Sequence, residues 1–299
     1  MHAEDLQNMG TNDPLEPLLV ISIFGRSGTT LLMQLLGTSE QILFDRSYPF
    51  ETRYLTYLLR WALLLQQEYR PDPAWNADTN NKEPGDRIGP FPYSNAEYWN
   101  GREMWIPCFQ SAWREFSGMP AVQTSAGNRY YAEKIPFWAP EYLQKAIPYK
   151  TILLIRDPRD VFLSMTAFDK KRGYPGFVRE SGDDDWMFAR RFVKLFRERI
   201  PVIQRETTKP NSMLVPYELL ASNLPAASER IGKWLGVRLD PFSVEAQVSS
   251  FSHHMTSRNP DESVGRWKKE MHPGIRDFFN KELAKDLEYF GYTDVTDGA

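Results

Sequence analysis

Residues 24–32 read FGRSGTTLL, with Gly25 and Gly28 on either side of Arg26 and Ser27, and Thr29 and Thr30 directly behind. Those residue types in that order suit an anion. Glycine lets the backbone turn tightly and approach a ligand closely. A helix starting just after it presents free amides and the positive end of its dipole. Arg26 adds a permanent cation whose planar fork fits phosphate-type oxygens. A loop for nucleoside triphosphates would follow G-x-x-x-x-G-K-[ST], its lysine reaching the terminal phosphates. Here Ile23 stands at the first glycine and Thr29 at the lysine, so that pattern fails twice. Taken by itself, the stretch is also compatible with a tight strand-to-helix turn capped by a hydroxyl.

A second set of residues bears on the same chemistry. In LLIRDPRDVFLSM, Arg156 closes an apolar run and Ser164 follows eight positions later. A guanidinium at a strand end and a hydroxyl on the next helix suit a second phosphate, distinct from the first. The alternative pairs Arg156 with Asp157 or Asp160 and leaves Ser164 in a helix groove.

These residues need elements to position them. Residues 17–24 (PLLVISIF) form a compact apolar run, as for a strand buried on both faces of a parallel sheet. TTLLMQLLG then predicts a helix ending at Gly37. Thr151 to Ile155 predict a second strand; Asp157 and Pro158 occupy the cap and first position of a helix continuing from Val161 to Phe168. SMLVPYELL predicts a strand ending near Tyr217, and a helix runs from about Ala226 to Leu235, where Gly236 stops it. Strands alternating with helices predict an α/β fold of three layers, a central parallel sheet flanked by helices. Its binding sites belong at the carboxyl ends of the strands.

The 11-residue run LTYLLRWALLL, interrupted by Arg60, is too short to span a bilayer and reads as a buried helix. The charges of DDDWMFARRFVKLFRERI read as a solvated helix face, acids first and bases later, and FFNKELAKDLEYF as one surface-packed helix. Residues 71–92, dense in Pro, Asn, Asp and Gly, read as a long loop.

With 299 residues, 41% hydrophobic and 14% aromatic, the chain can bury a large core. A net charge of −3 argues against a broad basic footprint for nucleic acid or an anionic membrane. One cysteine, Cys108, cannot form an intrachain disulfide and suits a reducing cytoplasm. No His/Cys/Asp cluster has metal-ligand spacing. The polar residues 1–15 read as a tail without an apolar signal core, and 16–299 as a single domain with an insertion around 50–120 on the acceptor side.

GRSGTTLL resembles the 5′-phosphosulfate-binding loop of sulfotransferases that use 3′-phosphoadenosine-5′-phosphosulfate (PAPS). Arg156 with Ser164 resembles that family's 3′-phosphate-binding strand and helix. VPYELL resembles its Tyr-Glu-Asp-Leu stretch, with Leu219 replacing the aspartate and Tyr217 falling by the adenosine half. SRNPDESVGRWKKEM resembles its late Gly-x-Trp-Lys region, in which Arg258, Gly265, Arg266, Trp267 and Lys268 would close over the nucleotide. The resemblance spans about residues 17–270. It implies a P-loop-like fold with Gly25, Arg26, Ser27, Gly28, Thr29 and Thr30 at the phosphosulfate, and no metal.

Sulfuryl transfer needs a base for the acceptor's proton and cations for the charge that develops. One branch of the family takes its base from a Lys-Thr-His stretch, but in AEKIPF Pro136 stands where that histidine would fall. The protein-tyrosine branch carries Glu-Thr-Arg soon after the first helix and a later Lys-x-Pro-Phe. PFETRYL supplies Glu51, Thr52 and Arg53, and Lys134-Ile135-Pro136-Phe137 matches the second motif. The resemblance therefore implies Glu51 as general base, with Arg26 and Lys134 bracketing the sulfuryl group. Arg53, His253 and His254 are assigned to the acceptor side. Outside the resemblance, Glu51 reads as a helix-start carboxylate and Lys134 as a surface lysine.

Trp75, Trp99, Trp105, Trp113 and Trp138 read either as core or as walls of an acceptor pocket. The resulting expectation is a cytoplasmic enzyme that moves a sulfuryl group from PAPS to a hydroxyl or amine of a small molecule, leaving 3′-phosphoadenosine-5′-phosphate (PAP). No nucleic-acid or membrane partner is expected, and a homodimer is left open. The alternatives are a small-molecule kinase using ATP at the same loop and a non-catalytic nucleotide-binding protein.

Overall fold

The computed structural model describes residues 14–66, 101–119, 122, 127–247 and 259–293. Strands β1 (Glu16–Ile21), β2 (Ile42–Leu43), β3 (Tyr130–Lys134), β4 (Lys150–Ile155) and β5 (Ser212–Pro216) form one sheet in the order β2-β3-β1-β4-β5. β2 runs parallel to β3, with Ile42 opposite Tyr130, and β4 parallel to β5, with Ile155 opposite Pro216. A central parallel sheet flanked by helices is thus observed, as the alternation of elements predicts.

EPLLVI in β1 and KTILLI in β4 bury every residue after the first, which is why neither alternates polar with apolar. β1 stops at Ile21, short of the predicted Phe24. The cause is local: the hydroxyls of Ser22 and Ser27 both donate to the Phe24 carbonyl at 2.9 Å, bending the chain out of the sheet and into the glycine loop.

The helices are α1 (Thr29–Leu36), α2 (Tyr54–Leu63), α3 (Gly101–Gly118), α4 (Ala139–Ala146), α5 (Pro158–Arg172) and α6 (Asp185–Thr207). They continue as α7 (Tyr217–Ser222), α8 (Leu224–Leu235), α9 (Pro241–Gln247), α10 (Trp267–Glu270), α11 (Pro273–Glu282) and α12 (Ala284–Tyr289). α2 is not wholly buried as expected, because Tyr57, Arg60 and Trp61 face outward. The predicted single C-terminal helix is broken at Leu283, whose backbone is non-helical and whose side chain is fully buried. None of the described helices is long and apolar enough to cross a membrane.

The chain divides into two compact units, the first of residues 1–18, 40–45 and 51–150, the second of residues 19–39, 46–50 and 151–299. In the first, α2 buries Leu55, Leu59 and Ala62, and α3 buries Trp105, Phe109 and Trp113 at the four-residue spacing of one helix face. Trp113 donates from Nε1 to the Leu15 carbonyl at 3.0 Å and meets the Phe116 and Tyr131 rings. Trp105 and Trp113 are therefore core. Trp138 is half-buried beneath the Arg60 guanidinium, and Trp75, Trp99 and the loop at 71–92 lie outside the described residues.

In the second unit, Phe188, Phe192 and Phe196 make one face of α6. Phe162 stacks on Phe188 at 4.6 Å between centroids, and Phe24 and Phe279 meet Phe192 at 4.5 and 5.4 Å. Such pairs add roughly 0.5–1.5 kcal/mol each beyond their burial. The opposite face of α6 is mostly solvated, as expected, with one correction. Arg199 donates from Nη1 to the Ile23 carbonyl at 3.0 Å and lies over the Phe24 ring, so it holds the chain where it leaves β1.

Glu218, at the start of α7, accepts from the Asp157 amide and the Tyr292 hydroxyl, both at 3.0 Å, and its burial pushes its pKa above the ordinary 4.5. The folded state thus keeps this proton to higher pH than the unfolded chain does, so the group's contribution to stability falls as pH rises upward from about 4.5. Glu218→Gln should flatten the decline of Tm between that pH and neutrality in melts across buffers; an unchanged slope would count against this assignment.

Candidate functional site

Chemistry-bearing side chains gather in each of the two units. In the second, the loop 22–28 delivers the chain to α1 through two left-handed residues, Arg26 (φ 69) and Gly28 (φ 91). Gly28 is needed twice over: its backbone is disfavoured for other residues, and a Cβ there would overlap the Tyr217 ring. Gly25 is constrained by contact as well, since a Cβ there would come within 2.6 Å of Phe177. No side chain caps α1, so its first-turn amides remain available to an anion. Ser27 is buried and donates to Phe24, so its hydroxyl shapes the turn. Thr29 and Thr30 are half-buried at the first two helical positions.

Arg156, at the end of β4, is buried and donates from Nη1 to the Arg26 carbonyl at 2.9 Å and from Nη2 to the Ser263 carbonyl at 2.7 Å. Its guanidinium lies 4.3 Å from the Tyr217 ring centroid, and its buried Nε has no hydrogen-bond partner among the described residues. The Arg26 guanidinium sits over Phe168 at 4.5 Å, with a long contact of 3.4 Å from Nε to Ser164 Oγ. Burial first, and then the charge of Arg156, lowers the Arg26 pKa to about 10. An orphaned buried N–H, an uncapped helix start and two mutually repelling guanidinium groups fit a multiply charged anion.

The pairing that offered an alternative for Arg156 is made by a different arginine. Asp157 caps α5 by accepting from the Arg159 amide and holds the Arg159 side chain through both carboxylate oxygens at 3.0 and 2.8 Å. Asp160 accepts from the amides of Gly265 (2.6 Å) and Trp267 (3.0 Å), fixing the late turn to the start of α5. Trp267 is buried with Arg159 over its ring at 3.5 Å, and the Tyr217 hydroxyl meets Ser263 Oγ at 2.8 Å. Arg266 pairs with Glu270, and the Lys268 ammonium lies 5.6 Å from the Trp267 ring. Arg258, His253 and His254 lie outside the described residues.

In the first unit, Glu51 lies between two cations, with Arg53 bonded to Oε2 and Lys134 Nζ 3.8 Å from Oε1. Lys134, at the end of β3, is largely buried. That burial lowers its pKa, while Glu51 acts in the opposite direction. Glu133, one residue earlier, is 1% exposed and takes four hydrogen bonds from Leu55, Thr56 and Tyr131. Sequence reasoning passed over Glu133, Ser263 and Arg199, and named Asp160 only as an alternative partner for Arg156. A carboxylate inside the apolar run YYAEK was the one available signal, because a buried charge must find partners.

Among the described residues, no group of His, Cys, Asp and Glu side chains could hold a metal ion. The protein groups described above suit holding an anion at the α1 loop, and they place a carboxylate and an ammonium side by side. Residues 17–241 match the model of the sulfotransferase family, and the chain belongs to that family. In fold it is similar to a sulfotransferase domain from the curacin biosynthetic pathway, at 15% identity and a TM-score of 0.50, over 91% of this chain and 99% of that one. It is also similar to a sulfotransferase domain from the Synechococcus PCC 7002 olefin synthase, at 16% identity and a TM-score of 0.51, over 93% and 97%. No curated protein matches the chain in sequence.

Gly28→Ala combines a left-handed backbone with overlap against Tyr217. It should cost roughly 2–5 kcal/mol in urea unfolding, summing the backbone and overpacking contributions. A loss below about 0.5 kcal/mol, the scale of neutral surface changes, would contradict the contact.

Proposed function

We propose that this sulfotransferase moves a sulfuryl group from PAPS to a hydroxyl or amine of a small-molecule acceptor. The observation that carries the donor assignment is the pairing of half-buried Arg26 with buried Arg156, whose Nε has no partner among the described residues, at the loop leading into an uncapped helix. In this reading the first-turn amides with Thr29 and Thr30 bind the 5′-phosphosulfate, while Arg156 and Ser164 bind the 3′-phosphate. Tyr217 lies by the adenosine, and the turn containing Gly265, Arg266, Trp267 and Lys268 completes the nucleotide site, with Arg258 expected there. Bound PAPS supplies a sulfuryl group already activated by attachment to phosphate.

The remaining work belongs to protein groups. Glu51 takes the proton from the acceptor oxygen or nitrogen as its bond to sulfur forms, and the sulfur–oxygen bond to PAP breaks. Lys134 and Arg26 stabilise the negative charge that develops on the transferring and departing oxygens. Arg53, held against Glu51, keeps the carboxylate oriented and belongs to the acceptor side, where His253 and His254 are also assigned. The lone cysteine suits a reducing compartment such as the cytoplasm.

A kinase reading would need an aspartate free to hold magnesium near the strand end. Asp157 is occupied by Arg159, and Asp160 by two amides. Melting the protein with PAP and, separately, with ATP and magnesium tests this point. PAP at about 100 times its dissociation constant should stabilise by roughly 2.7 kcal/mol; a larger shift with ATP would overturn the donor assignment.

Glu51→Gln should keep that response to PAP while lowering sulfo transfer from PAPS about 10²- to 10⁴-fold, the usual span for a general base. Mass gain across a library of hydroxyl- and amine-bearing small molecules reads this out, and wild-type turnover would remove Glu51 as the base.

A further inference from the structure

α2 begins without a cap of its own. The residue before it, Arg53, has a left-handed backbone (φ 55) and contributes no capping hydrogen bond. A buried helix start must nonetheless satisfy its first amides. The acceptor comes from far along the chain: Glu133 Oε2 accepts from the Leu55 amide, and Oε1 from the Thr56 amide, each at 2.8 Å. The Thr56 hydroxyl adds 2.5 Å to Oε1, and the Tyr131 hydroxyl 2.8 Å to Oε2. Four donors fill the acceptor sites of one carboxylate.

A saturated, buried carboxylate is ill placed to exchange protons with an acceptor molecule, so Glu133 is not a second base. Its value lies in what it fixes. Only Thr52, Arg53 and Tyr54 separate Glu51 from the clamped residue Leu55. Thr52 Oγ1 is itself held by the Asp45 amide at 2.9 Å, and the Tyr54 amide meets the Tyr131 hydroxyl at 3.3 Å. Lys134 follows Glu133 directly at the end of β3, on the other side of the strand. One strand end thus carries both the anchor of the segment bearing Glu51 and the cation that Glu51 faces at 3.8 Å.

We propose that Glu133 is a positioning residue: by clamping the start of α2 to β3, its carboxylate holds Glu51 against Lys134. The catalytic consequence rests on Glu51 being the base, but the clamp itself does not.

The test reads Lys134 directly. The full chain is labelled with acetic anhydride from neutral to alkaline pH, and acetylation of Lys134 is quantified by mass spectrometry. Besides burial, the charges acting on this amine include Glu51, which raises its pKa, and Arg53, which lowers it. Removing the Glu51 charge in Glu51→Gln should raise the free-amine fraction and speed acetylation near neutral pH, by about tenfold for each pKa unit lost. Glu133→Gln offers one acceptor oxygen where two are needed and turns an amide toward donors. It should produce a similar acceleration, and the double variant no more than either single change. A wild-type or slower Lys134 rate in Glu133→Gln, or an effect that adds to that of Glu51→Gln, would overturn the proposal.

If Glu133→Gln fails to fold by circular dichroism, Tyr131→Phe and Thr56→Val, each lacking one donor to the carboxylate, decide instead. Each should give a smaller acceleration, and wild-type rates in both would overturn it. Wild-type turnover in Glu51→Gln alongside faster Lys134 labelling in Glu133→Gln would remove the base while supporting the clamp.

Discussion

A guanidinium taken out of water must place its five N–H groups, and the second unit is organised around how Arg156 does so. One amino group goes to the carbonyl of Arg26 in the glycine loop and the other to that of Ser263 in the late turn. Its flat face goes to Tyr217. Three segments far apart in sequence are thereby referred to one strand end. A lysine could not replace it, because an ammonium has neither the fixed fork nor the flat face. Its buried Nε–H, by contrast, meets no hydrogen-bond partner among the described residues.

The first unit answers the same problem with the opposite charge. Glu133 is only 1% exposed, yet its partners are two amides and two hydroxyls, with no cation among those four. Hydrogen bonds to charged groups are stronger than neutral ones, and several short ones can substitute for water where a single counter-ion would not. The cation nearby, Lys134, is left to Glu51.

Much of this was legible in the sequence, and the misses share a cause. β1, β4 and β5 with the helices that follow them were readable because apolar runs, glycines and an Asp-Pro cap are local signals. Arg26, Arg156, Glu51 and Lys134 were readable because each lies in a short motif. β2, only two residues long, has no pattern of its own and exists by pairing with β3. The outward face of α2 was missed because Tyr57 and Trp61 read as apolar and left Arg60 as a lone interruption. Apart from Tyr131, the partners given above for Glu133, Asp160 and Arg199 lie 77 to 176 positions away, beyond the reach of any window read along the chain.

The distant cap on α2 also bears on the order of folding. Ten residues make a marginal helix in isolation, because nucleation fixes several residues for one hydrogen bond. With the amides of Leu55 and Thr56 held by a carboxylate 78 and 77 positions downstream, the start of α2 is completed by β3. Loop closure of that kind slows folding. The order of the segment carrying Glu51 therefore depends on a strand far along the chain.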